Sequence, residues 1–319
     1  MDACAVPESP MLAAKSAKYA DPDYTLDGSP RARVALRRLN TLWFNTGTLC
    51  NLACEGCYIE SSPRNDRLQY LSLGEVEAYL DEIRAAGLAT RQIGFTGGEP
   101  FMNPDLIAML ECCLDRGFQV LVLTNAMRPM EKQAAGLAGL AGRDNLTIRV
   151  SLDHYGRERH EAIRGPRSWA PAMRGLRWLR DQGFRVHVAC RGLDDESETE
   201  MRAGFAALFR EHDLDVDAFD PARLVLFPLM DSGRDVPEIT QSCWQILDVD
   251  PASMMCASSR MVVRRKGAAG TAVVPCTLLP YDETLELGTS LSDARQSVAL
   301  NHPFCAQFCV LGGADCSAS

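Results

Sequence analysis

Apolar residues recur along this chain in two rhythms. Between about residues 40 and 230, short unbroken apolar runs alternate with stretches whose apolar positions fall three and four apart. The first rhythm is that of a strand buried on both faces, the second that of an amphipathic helix. Leu42 to Phe44 opens the series as a strand. Ser72-Leu73-Gly74-Glu75 reads as a capping box, and Val76, Tyr79, Leu80 and Ile83 follow at helical spacing before Gly87. Ile93 to Phe95 is the next strand, and Asn103-Pro104 predicts the start of a helix carrying Leu106, Ile107, Leu110 and Leu114, ended by Gly117. The alternation continues with strand Phe118 to Leu123, a helix over 132–140 and strand Leu146 to Leu152. It then runs through a helix over 170–180, strand Phe184 to Ala189, a helix capped by Ser197 or Thr199, and strand Arg223 to Phe227. Six β–α alternations imply a parallel sheet with right-handed crossovers. Periodicity fits an open doubly wound sheet and a barrel equally.

On either side the rhythm fades. The first 38 residues lack it and read as a loosely packed arm. After Asp231-Ser232-Gly233-Arg234 it weakens again, so a boundary is placed at 234/235. The expected organisation is an arm over 1–38, a core over 39–234 and an irregular cysteine-rich region over 235–319.

Composition narrows the function. The 319 residues are 46% hydrophobic and 24% charged, enough for a full core. A net charge of −9 disfavours a nucleic-acid partner, because phosphate-backbone binding calls for the opposite sign. Apolar runs such as 224–230 reach about seven residues where a membrane span needs roughly 20, and no basic and apolar export signal opens the chain. A cytoplasmic protein without a membrane partner is expected. The 13 cysteines, an odd number, argue against a disulfide framework. Three sit together as Cys50, Cys54 and Cys57. Five fall in the last quarter as Cys256, Cys276, Cys305, Cys309 and Cys316, and Cys4, Cys112, Cys113, Cys190 and Cys243 read as scattered apolar side chains.

Three thiolates in one short loop after a strand can converge on a metal centre. A tetrahedral zinc wants a fourth ligand, whereas a four-iron cluster held by three cysteines leaves one iron open to substrate. Strand 93–95 ends in Thr96-Gly97-Gly98-Glu99-Pro100, where glycines permit close backbone approach and Glu99 offers a carboxylate.

The Cys50-x3-Cys54-x2-Cys57 triplet with Tyr58, followed by Gly97-Gly98-Glu99-Pro100, resembles the radical S-adenosylmethionine (radical SAM) superfamily. The likeness extends through Leu123-Thr124-Asn125, Ser151-Leu152-Asp153, His160-x3-Arg164-Gly165 and residues 228–234. It implies an α/β fold, a partial (β/α)6 barrel of the TIM type. It also implies that Cys50, Cys54 and Cys57 ligate a 4Fe-4S cluster whose fourth iron takes the amino and carboxylate groups of S-adenosylmethionine. Gly97, Gly98 and Glu99 would hold the methionyl ammonium, Thr124, Asn125, Ser151 and Asp153 its methionyl and ribose portions, Arg164 the carboxylate, and Tyr58 would pack beside the adenine. An external one-electron reductant, such as a flavodoxin or ferredoxin, is implied as a partner.

Residues 256–316 resemble the SPASM or twitch extension of such enzymes. They carry fewer cysteines than the full SPASM pattern, and Cys-x3-Cys where that pattern has Cys-x2-Cys. One auxiliary 4Fe-4S cluster is implied, on Cys256, Cys276, Cys305 and either Cys309 or Cys316. His302 and a zinc-stabilised tail are the competing expectations. The reaction expected is hydrogen abstraction from a peptide or small molecule, leading to oxidation, cross-linking or rearrangement. The short N-terminal arm leaves no room for a peptide-recognition domain and favours a small molecule or a partner in trans. The alternatives are a cyclase like that of molybdenum-cofactor synthesis and a non-enzymatic zinc or iron–sulfur protein for electron transfer or assembly.

Overall fold

Thr41–Asn45 (β2) and Gln92–Thr96 (β3) are buried at every position, as their unbroken apolar runs require. The computed structural model describes residues 18–192, 195–231 and 233–316. The sheet continues with Gln119–Thr124 (β4), Leu146–Ser151 (β5), Arg185–Arg191 (β6) and Leu224–Phe227 (β7). These six strands pair in parallel in chain order, and the helices between them cover the outside. This is the partial barrel that the resemblance implied.

The helices show how local chemistry sets boundaries. Leu73–Ala85 (α1) begins at Ser72, whose hydroxyl accepts from Glu75 N while the Glu75 carboxylate accepts from Ser72 N. Its residues Val76, Tyr79, Leu80 and Ile83 are all buried. Leu106–Asp115 (α2) starts later than its Asn103-Pro104 signal. Asn103 is spent elsewhere: its amide donates to Leu71 O at 2.8 Å and its side-chain oxygen accepts from Asp105 N at 2.9 Å. The helix expected over 132–140 is two short ones, Arg128–Lys132 (α3) and Ala134–Ala138 (α4). They break at Gln133, whose amide turns back to Phe101 O and Asn103 O. Arg157–Arg164 (α5), Trp169–Asp181 (α6) and Glu198–Glu211 (α7) complete the outer layer, and Ser197 caps α7 with Glu200 in a second capping box.

Beyond residue 234 the structure departs from the expected irregular region. After the single turn Cys243–Ile246 (α8), strand Ser259–Val263 (β8) joins the barrel sheet, parallel to β2, and Ala272–Val274 (β9) pairs antiparallel with β8. The sheet therefore runs β7-β6-β5-β4-β3-β2-β8-β9 across the 234/235 boundary. The reason is the free edge that β2 presents, which a buried apolar strand, Ser259 to Val263, covers.

The N-terminal segment also differs from expectation. Residues 1–17 of the arm, with Cys4, lie outside the described residues, as does Ser232 of the boundary motif. From residue 18 onward the chain is packed down. Arg33–Val34 (β1) pairs with Val298–Ala299 (β10), and Ala32 N donates to Ile239 O at 2.8 Å. Arg31 is fully buried and paired with Glu238 at 2.6 Å. Among the described residues no helix is long and apolar enough to cross a membrane.

Candidate functional site

The C-terminal ends of the parallel strands surround a cavity of about 480 Å3, inside the roughly 300–1,000 Å3 range of small-molecule sites. Cys50, Cys54, Cys57, Tyr58, Gly97, Gly98, Thr124, Asn125, Ser151, Asp153 and Arg164 all line it. They come from the cysteine loop, the ends of β3, β4 and β5, and helix α5, 114 residues apart in sequence at the extremes (50 to 164).

The cysteine loop leaves β2 and is stitched down by backbone bonds. Cys50 N donates to Ser62 O at 3.1 Å, Glu55 N to Ile163 O at 2.9 Å, and Glu99 N to Leu49 O at 3.1 Å. Gly97 and Gly98 line the cavity and also pack against the cysteine loop. A Cβ on Gly98 would stand 2.2 Å from Leu49 O, and one on Gly97 would stand 2.5 Å from Gly47 O, with Gly97 at a φ of +140°. These glycines let the β3 turn lie directly against the cysteine loop. Burial pushes the Cys50 thiol up to about 12 and raises Cys54 as well. Among the described residues no three His, Cys, Asp or Glu side chains converge on the point a single ion would occupy.

Glu99 does not line the cavity. It is almost fully buried behind it, where Oε1 accepts from Thr124 Oγ1 at 2.7 Å and Phe101 N at 3.2 Å, and Oε2 accepts from Asn125 N at 2.8 Å. Burial raises its pKa, against the pull of those donors. In this arrangement Glu99 ties the β3 and β4 turns together and positions Asn125, whose amide reaches Asn51 Oδ1 at 2.9 Å and Cys50 Sγ at 3.9 Å.

Asp153 is likewise committed within the chain. Its Oδ2 lies 2.7 Å from Arg164 Nε and 3.2 Å from Arg191 Nη2. Burial pushes its carboxyl up, but the two guanidiniums outweigh burial and hold it below the ordinary carboxylate range. Arg191 then donates to the carbonyls of Glu55 (2.7 Å) and Gly56 (3.2 Å), so Asp153 steadies the cysteine loop through it. Sequence reasoning missed Arg191, because a strand-terminal arginine carries no signal of the loop it will reach. Burial lowers Arg164, but Asp153 first, then Cys54 and Cys50, which it faces, raise it above its ordinary value. Its position on the last turn of α5 suits a cation beside an anionic centre.

The C-terminal cysteines divide into two groups. The β8–β9 hairpin brings Cys256 and Cys276 side by side, and Cys305 and Cys309 sit four apart on the π-helical turn Cys305–Val310. These four line one small closed cavity with Met254, Met255, Leu278, Leu279 and Phe304. Cys316 instead lines the barrel cavity, where Thr277 Oγ1 donates to its sulfur at 3.2 Å and Arg149 Nη1 to its carbonyl at 3.0 Å. Tyr58 stands between the two sets: burial raises its pKa, and Cys316, Cys57 and Cys276 raise it further. His302 lies outside the four-cysteine cavity and its Nδ1 accepts from Phe304 N at 3.1 Å. His160 is buried edge-on to Trp169, with ring centroids 5.4 Å apart, and burial lowers it to about 4.

A family model described as the Radical SAM superfamily matches residues 44–203. The chain is 33% identical over 141 residues to the antilisterial bacteriocin subtilosin biosynthesis protein AlbA of Bacillus subtilis (strain 168), a match covering 44% of this chain and 30% of AlbA. It is 30% identical over 230 residues to the GTP 3',8-cyclase of Rhodococcus opacus (strain B4), covering 64% of each. In three dimensions it is similar to Streptococcus suis SuiB bound to S-adenosylmethionine, with a TM-score of 0.57 and 13% identity over 79% of this chain and 63% of SuiB, a likeness of fold. The chain thus spans less than two thirds of each of these proteins. The superfamily match covers half of the sequence and contains the cysteine loop, the glycine turn and the strand ends that form the cavity, and by it the chain belongs to the radical SAM superfamily.

Proposed function

We propose that this protein modifies a peptide by hydrogen-atom abstraction, with a 4Fe-4S cluster on Cys50, Cys54 and Cys57 and S-adenosylmethionine in the barrel cavity. When bound, and given one electron by an external reductant, that pair would supply cleavage of the sulfonium to methionine and a 5′-deoxyadenosyl radical. The observation that carries this reading is one cavity lined by all three cysteines and by five strand ends, large enough for a small-molecule cofactor.

The residues present fit both groups. Arg164, faced by Cys54 and Cys50, balances the charge of a thiolate-ligated cluster. Ser151, at the end of β5, presents a polar group to an amino-acid moiety beside Thr124 and Asn125, whose side chains are bonded within the chain, while Tyr58, Leu123, Phe227 and Met230 offer apolar faces to a nucleoside. Asp153 and Glu99 act one layer behind, holding Arg164, Arg191 and Asn125 in place. Phe308 and Cys316, on the C-terminal segment, close one wall and exclude water from the reacting centre.

A second cluster on Cys256, Cys276, Cys305 and Cys309 is part of this proposal. Their cavity is apolar, and burial raises all four thiols, with neighbouring thiols adding to it at Cys256, Cys305 and Cys309, so that metal binding must displace their protons. The buried Arg260, whose Nη1 donates to Cys256 O at 2.6 Å, offsets the cluster's charge.

A peptide is favoured by the open groove of about 880 Å3 that continues from the barrel cavity past Cys54 to Tyr58, Met230 and Leu278 towards Tyr281 and His302. An extended segment fits there beyond the space a cofactor fills. AlbA is named for bacteriocin biosynthesis, and SuiB has been crystallised with its precursor peptide SuiA. A nucleotide substrate is the second reading, on the match to GTP 3',8-cyclase.

Anaerobic reconstitution followed by reduction with S-adenosylmethionine tests the proposal. Release of 5′-deoxyadenosine is expected, and replacing Cys50, Cys54 and Cys57 by alanine should abolish it and remove about four irons per chain. Zinc in place of iron, with no 5′-deoxyadenosine, would show a non-enzymatic metal protein instead.

A further inference from the structure

The opposite end of the barrel holds a separate cavity of about 660 Å3, bounded by the N-terminal ends of β3 to β7. Three arginines border it: Arg91 just before β3, Arg185 at the start of β6 and Arg223 just before β7. Among the described residues Arg91 and Arg185 have no carboxylate partner. Arg223 spends one nitrogen on the backbone and side chain of Asp215 and keeps the rest of its fork free. Asp220 is the carboxylate of this lining, and its Oδ1 is taken by Ala222 N at 2.9 Å. Three guanidiniums therefore surround a space with one partly engaged acid.

An independent observation lies in the wall. His187, on β6, is only 7% exposed, and its ring makes no hydrogen bond to any described residue; Nδ1 is buried without a partner. A buried ring with neither nitrogen bonded asks for a ligand, and His187 is part of this cavity's lining. Burial, then Arg149, Arg223 and Arg185, lower its pKa to about 4, against Asp220, which leaves a neutral ring able to donate one N–H into the cavity.

We propose that this barrel-floor cavity binds a phosphate group, free or carried by a small metabolite, between Arg91, Arg185 and Arg223, with His187 donating to it. Planar guanidinium forks match phosphate oxygens in pairs, and donors arriving from three strand ends suit a tetrahedral dianion better than a monocarboxylate, which one fork already satisfies. The cavity shares no lining residue with the barrel mouth, so the proposal stands apart from the radical chemistry.

Isothermal titration of the reconstituted full-length chain tests it, with inorganic phosphate and with glycerol 3-phosphate, at fixed ionic strength in chloride. One saturable site per chain is expected. The double variant Arg91→Gln/Arg185→Gln should weaken it by at least about tenfold, the scale of lost charge-assisted hydrogen bonds. Both side chains are exposed, so the fold and the affinity for S-adenosylmethionine should be unchanged. The His187 ring resonances should move with phosphate in the parent protein and not in the variant. Tighter binding of glycerol 3-phosphate would assign a phosphorylated metabolite, and tighter binding of inorganic phosphate the free ion. No saturable binding by either probe, or equal affinity in the double variant, would overturn the proposal whatever becomes of the radical activity.

Discussion

At the scale of single residues, two glycines make opposite predictions. Gly98 lies where an added Cβ would meet Leu49 O at 2.2 Å and Thr48 O at 2.7 Å, and both obstacles are backbone. Gly98→Ala must push the β3 turn off the cysteine loop, costing about 1–3 kcal/mol of overpacking and lowering the iron held by the first site. Gly74, in the first turn of α1, faces open space. Gly74→Ala should stabilise by about 0.5–1 kcal/mol and leave iron unchanged. Urea unfolding with iron analysis of both variants separates a steric role at Gly98 from a general effect of losing glycine. Thr124→Val gives a third reading: it strips the Oγ1 donor from the buried Glu99 carboxyl and should cost about 1–3 kcal/mol, in the same unfolding assay. Gly98, Glu99 and Thr124 lie together at the ends of β3 and β4, where the strand-and-turn pattern of the sequence put them. Their division of labour was hidden. Whether a carboxylate faces a ligand or three donors of its own chain depends on turns 25 residues apart, as Glu99 and Thr124 show.

At the scale of elements, the legible signals were the local ones. The capping boxes at Ser72 and Ser197 stand where the sequence put them, because hydroxyl and carboxylate meet within one turn. The start of α2 and the break at Gln133 were not legible, since both depend on side chains bonding to a distant backbone. The N-terminal segment was misread for the same reason. It is held by Glu238, which accepts from Tyr19 N at 2.9 Å, Leu26 N at 2.7 Å and Arg31 Nη2 at 2.6 Å, across more than 200 residues. Burial raises Glu238, but Leu26 N, Arg31 and Tyr19 N together draw it below its usual 4.5. A carboxyl depressed in the folded state contributes stability above its unfolded value and loses it as the pH falls through the folded one. Stability of the parent protein should therefore decline with acid below about pH 4.5 more steeply than that of Glu238→Gln, in parallel unfolding series. Glu238→Ala should cost about 3–5 kcal/mol near neutrality, because it leaves the Arg31 guanidinium buried and unpaired.

At the scale of the molecule, the sheet joins two cysteine sets that the sequence separates by 199 positions, from Cys57 to Cys256. Strand β8 contributes by pairing with β2, the strand that launches the cysteine loop, and the chain beyond β9 returns to the barrel mouth, where Leu278, Phe308 and Cys316 line the cavity. Counting alone left Cys309 and Cys316 equivalent as a fourth ligand. Geometry separates them: Cys309 shares the closed cavity of Cys256, Cys276 and Cys305, whereas Cys316 turns to the barrel cavity, anchored by Thr277 and Arg149. The two alanine variants should thus behave differently. Cys309→Ala should lower iron by up to about four per chain and leave the Cys50, Cys54 and Cys57 site able to bind S-adenosylmethionine. Cys316→Ala should keep the full iron content and alter instead the affinity for S-adenosylmethionine or the fate of the substrate, since it widens the wall that both would touch. Iron analysis and electron paramagnetic resonance of the reduced proteins decide the matter. An iron loss in Cys316→Ala with none in Cys309→Ala would place the second cluster on Cys256, Cys276, Cys305 and Cys316 and make the position of Cys309 in the small cavity mere packing.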